Sequence, residues 1–387
     1  MLIFKKKRRR RKKMQISCKR EELLKGIQTV QAVVGTKSTL PVLANVLLEA
    51  KGEKMDMTAT DLEVGVRCSV KVEVSEPGAI TLPARTLSEV VRELPSEEIN
   101  IKVDEKSRVQ INSGQAIFNL MGLPKEDYPA LPKFKTDGEF SIDRESLSEM
   151  IKKTIFSVSQ DETRYVLCGI YFHVEKGKVR MVSTDGRRLS YISKDIGIDK
   201  KKEVKVIIPT KAVNELNRIL TQISTREETE KEGKVRINIE ENQVGFMIGD
   251  TILISRLIEG HFPNYEQVIP KSSEIKLKIK TEALLQATRR VALLTTEKSN
   301  SIRYSLKKKE LVISANTEGL GEARDVVGVD YAGKEMEIAY NPQFLISVLR
   351  NIGCEEVCLE LTNSLNPCLI RPTTGEDYIS IVMPMRI

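Results

Sequence analysis

The residues of this sequence that could carry out chemistry are two acidic pairs and one glycine-rich loop. Asp56 with Asp61, or Asp161 with Glu162, could supply a general acid and a general base. Short acidic clusters beside turns more often cap the turn or lie in solvent. The loop GLGEAR, residues 319–324, begins like a dinucleotide-binding loop but lacks its third glycine. Two histidines in 387 residues, without a Walker-type, G-x-S-x-G or H-E-x-x-H motif, predict a protein that is not an enzyme and needs no cofactor.

The six cysteines do not form a metal-binding pattern. Only Cys354 and Cys358 are close in sequence, and they lack both a second ligand pair and a nearby histidine. We therefore expect buried free thiols in a reducing compartment and no metal site. No apolar stretch approaches the roughly 20 residues of a membrane span, and no signal-peptide core follows the N-terminus. The expected location is the cytoplasm.

The run KKKRRRRKK, residues 5–13, accounts for the basic character of the chain. It carries nine positive charges, so the formal net charge of +8 becomes −1 without it. Such a run is typical of a nucleic-acid-binding arm, a nuclear address or an added tag. We interpret residues 1–13 as a basic, disordered extension outside the folded chain.

The rest of the sequence repeats one plan three times. Apolar residues at helical spacing predict first helices over 19–34, 144–158 and 281–294. About sixty residues after each first helix, an apolar strand runs into a second helix, predicted over 84–94, 210–220 and 342–352. Pro83, Pro209 and Pro342 lie near the starts of these second helices. Alternating segments such as INIKVDEKSRVQI follow as hairpins, so an α+β chain with six helices and about two dozen short strands is predicted.

Positive charge is concentrated on the predicted helices. Their six windows hold 13 basic and 8 acidic residues, whereas the rest of the chain beyond the N-terminal run is net acidic. This distribution suits helices that face a polyanion, because Lys and Arg near phosphates attract nucleic acid of any sequence. The alternative that charge alone leaves open is an ordinary solvated helix face.

Four segments carry a close resemblance to a known family: TDGRRL (184–189), HFPNYEQVIP (261–270), STLPVLANVLLE (38–49) and IVMPMRI (381–387). Together with the threefold repeat they resemble the bacterial DNA polymerase III beta subunit family, the sliding clamps, from Met14 to Ile387. The resemblance implies an α+β fold of three repeated DNA-clamp domains, each with two helices packed on antiparallel sheets. It places the domains at 14–134, 138–263 and 272–387, and implies a ring formed by a head-to-tail dimer.

The resemblance also implies a function and partners. The homodimeric ring would encircle double-stranded DNA, slide without sequence specificity and act as a polymerase processivity factor. Its partners would be the DNA polymerase III alpha subunit, the clamp loader, and other polymerases and repair proteins that carry clamp-binding motifs. No membrane is involved, and the protein would be associated with the nucleoid in the cytoplasm.

A peptide-binding pocket between the second and third domains is implied in the same way, for short motifs of the Gln/Leu/Phe type. Its wall would consist of Leu167, Thr184, Gly186, Arg187, Arg188, Leu189, Pro263, Val268, Leu365, Met383, Pro384, Met385 and Arg386. Apolar and methionine side chains would receive leucine and phenylalanine anchors. Gln267 and Pro367 depart from the family pattern at the rim of the pocket.

Two further surfaces follow from the resemblance. Lys25, Lys37, Gln160 and Arg164 match DNA-facing positions of the family. Phe118 and Leu120 in the first domain, with Leu293 and Leu294 in the third, match its dimer contact.

Two other functions remain open from the residues alone. One is a monomeric nucleic-acid-binding protein that uses the basic arm, and the other is an enzyme that acts on a phosphorylated substrate. Deletion of residues 1–13 separates the first of these from a clamp, because a clamp would still dimerise.

Overall fold

The computed structural model describes residues 13–35, 40–197, 203–223, 233–296 and 300–386, and six α-helices lie within these ranges. They are α1 (Arg20–Gln31), α2 (Ala84–Glu93), α3 (Arg144–Thr154), α4 (Thr210–Ile223), α5 (Thr281–Ala292) and α6 (Pro342–Asn351). Each overlaps a predicted helix, so the helical periodicity is confirmed. The buried residues Leu23, Ile27 and Val30 of α1 show why, since their spacing places them on one face.

The same ranges contain 25 short strands. The first repeat has β1 (Met14–Lys19), β2 (Asn45–Lys51), β3 (Lys54–Thr60), β4 (Val64–Lys71), β5 (Glu73–Glu76), β6 (Gly78–Pro83), β7 (Glu98–Val103), β8 (Arg108–Ser113) and β9 (Ala116–Met121). The second has β10 (Phe140–Asp143), β11 (Gly169–Glu175), β12 (Lys178–Thr184), β13 (Arg188–Asp195), β14 (Val204–Pro209), β15 (Lys234–Ile239), β16 (Gln243–Ile248) and β17 (Thr251–Arg256). The third has β18 (Ile275–Lys280), β19 (Ile302–Lys307), β20 (Glu310–Thr317), β21 (Gly321–Gly328), β22 (Met336–Tyr340), β23 (Glu356–Leu361), β24 (Cys368–Pro372) and β25 (Tyr378–Val382).

Each repeat uses one strand–helix–three-strand motif twice, as in β1–α1–β2–β3–β4 followed by β6–α2–β7–β8–β9. The prolines predicted near the second helices do lie there, with Pro83 at the N-cap of α2 and Pro342 in the first turn of α6. One prediction was wrong in detail. Each repeat opens with a strand and not with its helix, because β1, β10 and β18 run directly into α1, α3 and α5.

The described residues fall into two compact units whose boundary divides the second repeat. Unit 1 contains the described residues up to Arg144 together with those of Asn214–Arg256. It holds a five-stranded sheet of order β5-β1-β7-β8-β9 and an eight-stranded sheet of order β10-β15-β16-β17-β4-β3-β2-β6. In the second sheet, β4 of the first repeat pairs antiparallel with β17 of the second. The two repeats are therefore joined by backbone hydrogen bonds.

Unit 2 contains the described residues of Glu145–Val213 and those from Leu257 onward. Its eight-stranded sheet has the order β14-β11-β12-β13-β25-β24-β23-β18, and its four-stranded sheet the order β21-β20-β19-β22. Here β13 of the second repeat pairs with β25 of the third. The second and third repeats thus share one continuous sheet, as the first two repeats do in unit 1.

The helices pack on these sheets. Helix α1 packs on β3 and β4 in unit 1, and α5 packs on β20 and β21 in unit 2. In the parts of the chain that the structure describes, no helix is long and apolar enough to cross a membrane.

The six cysteines are free thiols. Cys18, Cys68, Cys358 and Cys368 are buried as expected, and burial raises the pKa of Cys368 to about 12. Cys168 and Cys354 are only half-buried, so the prediction was wrong for these two. Among the described residues, no three His, Cys, Asp or Glu side chains are close enough to hold a metal ion.

One carboxylate of each acidic pair, Asp61 or Asp161, acts as a cap, whereas Asp56 lies within β3 and accepts a hydrogen bond from the Ser69 hydroxyl. The Asp161 side chain accepts a hydrogen bond from the amide of Thr163 at the start of a 3-10 helix. Asp61 accepts amide hydrogen bonds in the turn between β3 and β4. The structural interpretation of these carboxylates is confirmed.

Candidate functional site

A tight turn between β12 and β13 forms the centre of the candidate site. The Asp185 carboxylate accepts hydrogen bonds from the amides of Arg187 (2.8 Å) and Arg188 (3.0 Å). The Thr184 hydroxyl donates to the carbonyl of Arg188 (2.7 Å) and accepts from the amide of Gly186 (3.1 Å). Gly186 has a φ of 85°, in the left-handed region that favours glycine. The T-D-G side chains and backbone therefore fix the turn without help from a ligand.

Arg188 links this turn to two neighbouring helical segments of unit 2. Its Nε lies 3.0 Å from Asp185 Oδ2, and its guanidinium lies 4.6 Å from the ring centroid of Phe344 on α6. The Phe156 ring, which follows α3, lies 5.9 Å away. Burial lowers the pKa of Arg188, while the charge of Asp185 acts in the opposite direction. The cation–π contacts and the ion pair compensate this buried charge and hold the start of β13 in place.

Arg164 holds the turn from another side. It interrupts the 3-10 helix Glu162–Leu167 with φ −108° and ψ 54°. Its Nε lies 2.9 Å from Asp161 Oδ2, and its Nη1 donates to the Asp185 carbonyl at 2.9 Å. A Cβ atom at Gly186 would lie 2.9 Å from that Nη1. A side chain at position 186 is thus disfavoured by the backbone conformation and would displace the Arg164 guanidinium.

The C-terminal segment runs beside the turn. Strand β25 pairs with β13 so that Leu189 lies opposite Ile381. Beyond β25, the amide of Met383 donates to the carbonyl of Arg187 at 2.9 Å. The amide of Met385 donates to Ala339 on β22 at 2.8 Å. The first bond holds Met383 at the turn, and the second fixes Met385 on β22.

The connection between the second and third repeats, residues 257–274, crosses one face of the same sheet; we call it the second strap. Tyr265 packs in a buried cluster with Val182, Leu189 and Ile381. Phe262 stacks on Tyr171 with ring centroids 5.0 Å apart. The predicted linker is therefore part of the core of unit 2.

Apolar side chains remain exposed around the turn. Val268 on the second strap is 47% exposed, Leu365 is 77% exposed, and Met383 and Met385 are 39% and 38% exposed. Grouped apolar exposure of this kind is typical of a binding surface. Methionine side chains adapt their shape to a bound apolar group.

The thirteen predicted pocket residues all belong to unit 2. The turn and β13 hold Thr184, Gly186, Arg187, Arg188 and Leu189; the second strap holds Pro263 and Val268; the C-terminal segment holds Met383, Pro384, Met385 and Arg386. Leu167 is buried at the end of its 3-10 helix, and Leu365 lies in the turn between β23 and β24. The contacts described above bring together the turn, the strap and the C-terminal segment. The hydrogen bonds of Leu167 and Leu365 are local, to Ser159 and to Asn363.

Family models match almost all of the chain. The models of the DNA polymerase III beta subunit match residues 14–132 with its N-terminal domain, residues 141–264 with its central domain and residues 266–386 with its C-terminal domain. The chain belongs to this family. The predicted family and the three repeated clamp domains are thereby confirmed.

The clamp has well-matched relatives. The beta sliding clamp of Chlamydia muridarum is 34% identical over 374 residues, which cover 97% of this chain and 99% of that protein. A crystal structure of the sliding clamp from Pseudomonas aeruginosa bound to griselimycin is 36% identical and covers 97% of this chain and 100% of that one, with a TM-score of 0.89. The DNA polymerase sliding clamp from Bacillus subtilis is 29% identical over 97% of this chain and 99% of its own, with a TM-score of 0.91.

The four predicted DNA-facing residues of the clamp have different surroundings. Lys25 on α1 is ion-paired, with its Nζ 2.7 Å from Glu21 and 3.5 Å from Glu22. Gln160 is exposed, whereas Arg164 points to the turn described above. Lys37 lies outside the described residues. The assignment of these residues to DNA stays a prediction.

The predicted dimer residues lie at two sheet edges. Phe118 and Leu120 are half-buried on β9, the edge strand of the five-stranded sheet. Leu293 follows α5 and is 77% exposed, and Leu294 is half-buried. Helix α5 packs on β21, the edge strand of the four-stranded sheet, where Arg290 Nε lies 2.7 Å from Asp325 Oδ2. Their role in a dimer also stays a prediction.

Sequence reasoning missed several exposed apolar residues at these edges. Ile117 and Met121 on β9 are 61% and 65% exposed, and Val326 is exposed on β21. A signal was present, because AIFNLM has apolar residues on both faces of the strand. In a solvent-facing edge strand one face is normally polar.

Proposed function

We propose that this clamp is a non-catalytic polymerase processivity factor. Two copies associate head to tail into a closed ring around double-stranded DNA, with domains at 14–134, 138–263 and 272–387. The ring slides without reading sequence and tethers the replicative polymerase through the pocket on unit 2. Tethering raises the effective concentration of polymerase at its template.

The pocket is the observation that carries this proposal. Its turn is fixed by its own hydrogen bonds, Met383 is bonded to it, and Val268, Leu365 and Met385 of the predicted wall are exposed in the same unit. A rigid frame with adaptable apolar walls binds a short peptide at low entropic cost, because only the peptide must become ordered. The buried anchors of such a peptide would be leucine and phenylalanine side chains.

The two sheet edges support ring closure. Strand β9 and strand β21 each have an unpaired edge, and each carries exposed apolar residues. Pairing of β9 with β21 of a second chain would cover both edges. The same contact made twice closes a ring of two chains. The centre of each contact would hold Phe118, Leu120, Leu293 and Leu294.

The helices support the contact with DNA. Exposed basic side chains occur on α2 to α6, for example Arg85 on α2, Lys152 on α3 and Arg350 on α6. Phosphate contacts by Lys25, Lys37, Gln160 and Arg164 would be independent of sequence and would weaken with salt.

The partners follow from the pocket. They are the DNA polymerase III alpha subunit, the clamp loader, and other polymerases and repair proteins with clamp-binding motifs. The place of action is the nucleoid in the cytoplasm.

The test replaces the two methionines of the pocket. A variant with Met383→Ala and Met385→Ala should bind a Gln/Leu/Phe-type clamp-motif peptide at least about tenfold more weakly in calorimetry, since two apolar walls are lost. Griselimycin should compete with the peptide on the unchanged chain. The control is Met247→Ala in unit 1, which should leave the affinity unchanged. Equal peptide affinity in the double variant and the unchanged chain would contradict the proposal.

A further inference from the structure

The turn at the pocket has a counterpart in unit 1, between β3 and β4. The Thr60 hydroxyl donates to the carbonyl of Val64 (2.9 Å) and accepts from the amide of Leu62 (3.0 Å). The Asp61 carboxylate accepts from the amides of Glu63 (3.0 Å) and Val64 (2.8 Å). Leu62 has a φ of 81°, close to the 85° of Gly186. The same pattern of hydrogen bonds therefore forms both turns. We call each turn, with its pattern of hydrogen bonds, a frame.

The strand contacts beside the two turns also correspond. The amide of Arg256 donates to the carbonyl of Glu63 at 2.9 Å, as the amide of Met383 does to Arg187 at 2.9 Å. Strands β4 and β17 pair Gly65 with Ile254, as β13 and β25 pair Leu189 with Ile381. Gly65 thus corresponds to Leu189, and Arg256 to Met383.

The side chains on this second frame differ from those of the pocket. Glu63 stands where the pocket has Arg187, and Arg256 stands where it has Met383, with the two side chains 4.0 Å apart. Nearby, Lys135 Nζ lies 3.1 Å from Glu240 Oε2. A charged residue paired with Glu63 therefore stands where the pocket has Met383.

The connection between the first and second repeats, residues 122–137, crosses this frame; we call it the first strap. A Cβ atom at Gly65 would overlap Cδ1 of Leu131, so the Leu131 side chain occupies the space that a residue at 65 would fill. A Cβ atom at Gly245 would likewise lie 2.8 Å from the ring of Phe134.

A tyrosine of the first strap is anchored beside the turn. The Tyr128 hydroxyl accepts from the amide of Thr60 and donates to the carbonyl of Asn45, both at 3.2 Å. In the second strap, Tyr265 and half-buried Ile269 pack on the cluster that contains Leu189. In unit 2 the corresponding leucine, Leu189, belongs to strand β13 of the sheet, and Val268 of the second strap is exposed.

We propose that the frame in unit 1 is a closed copy of the peptide pocket, in which Leu131 of the first strap takes the place of the Leu189 side chain and the Glu63–Arg256 pair takes the place of Arg187 and Met383. Because residue 65 is a glycine, the first strap packs directly on the sheet. The isobutyl group of Leu131 fills the space beside Gly65, which we call the recess. The pocket in unit 2 has Leu189 at that position, and its methionine wall remains accessible. Each chain therefore offers one open pocket for a leucine-type anchor, although it carries two such frames. The comparison with the open pocket rests on the proposed function.

Hydrogen exchange on the full-length chain tests the proposal without mutation. A saturating clamp-motif peptide should slow 263–268 and leave 128–134 unchanged. Protection of 128–134 by the peptide would overturn the inference. Lack of any protection at 263–268 would instead contradict the proposed peptide pocket.

Substitutions at the recess give an independent readout. Gly65→Ala should speed exchange of 128–134 about tenfold, because its methyl group displaces Leu131. Leu131→Ala should also speed it, and the double variant should be no faster than either single variant, since the methyl group introduced at position 65 fills part of the vacated space. The control Gly375→Ala, where a Cβ meets nothing within 4 Å, should leave exchange unchanged. Additive effects of the two substitutions would contradict the shared recess. If a variant does not fold, the comparison in the unchanged chain decides.

Discussion

Gly186→Ala is a sharp probe of the pocket turn. Two separate features of the structure oppose a side chain at this position. The φ of 85° strains any residue with a Cβ, and that Cβ would lie 2.9 Å from Arg164 Nη1. Gly138 provides a matched control, because its φ is 72° and a Cβ there meets nothing within 4 Å. The difference between the two variants isolates the contact with Arg164.

The expected magnitudes follow from these two features. Backbone strain in the left-handed region costs about 1 kcal/mol of unfolding free energy in either variant, after the gain from a stiffer unfolded chain. In Gly186→Ala, Arg164 must also move away from the Asp185 carbonyl, which it reaches at 2.9 Å. Loss of that charge-assisted hydrogen bond adds about 1 kcal/mol, discounted because the arginine is 47% exposed.

The assay combines chemical denaturation with calorimetry of a clamp-motif peptide. Gly138→Ala should lose about 1 kcal/mol of stability and keep full peptide affinity, whereas Gly186→Ala should lose about 2 kcal/mol and bind about tenfold more weakly. Addition of Arg164→Ala to Gly186→Ala should cost little more, because the same hydrogen bond is lost in each. Unchanged peptide affinity in Gly186→Ala, or full additivity with Arg164→Ala, would refute the reasoning.

Three other predictions concern stability, assembly and DNA. Glu149 is partly buried, which raises its pKa, but hydrogen bonds from Lys153 and Lys194 outweigh this and hold it at about 2. The stability that Glu149 contributes should therefore be present above about pH 4.5 and be lost as the pH falls towards 2. Over this pH range the melting temperature of Glu149→Gln should fall less than that of the unchanged chain. Leu293→Asp, at a 77% exposed position, should keep the melting temperature and convert the dimer to a monomer in sedimentation; a stable dimer would contradict the proposed interface. Lys25→Ala should lower the slope of DNA affinity against salt concentration, on logarithmic scales, by about one released ion. An unchanged slope would show that Lys25 does not contact DNA.

Much of the fold could be predicted because its determinants are local. The spacing of Leu23, Ile27 and Val30 is sufficient to predict α1, and the alternation in INIKVDEKSRVQI predicts the hairpin of β7 and β8. Of the three opening strands, β10 was missed because it is only four residues long and runs directly into α3. Pairing of β4 with β17 and of β13 with β25 joins residues far apart in the chain, which periodicity does not encode.

The site was predictable as a set of residues but not as an assembly. The TDGRRL turn and the C-terminal MPMR segment are recognisable in the sequence, whereas the contact of Arg164 with Asp185 depends on tertiary folding. The assignment of Arg164 to DNA came from the family resemblance and stays a prediction. The straps were predicted only as connections, because the glycines that seat the first strap, Gly65 and Gly245, lie elsewhere in the chain.

The central claim is that two chains close into a ring that holds DNA by topology. Its most direct test is the retention of the full-length protein, placed by a clamp loader on a nicked circular duplex, before and after the circle is cut. The ring should stay on the closed circle through a wash at high salt and leave within minutes of linearisation, because it slides off a free end. Equal loss from circular and linear DNA at high salt would contradict the account.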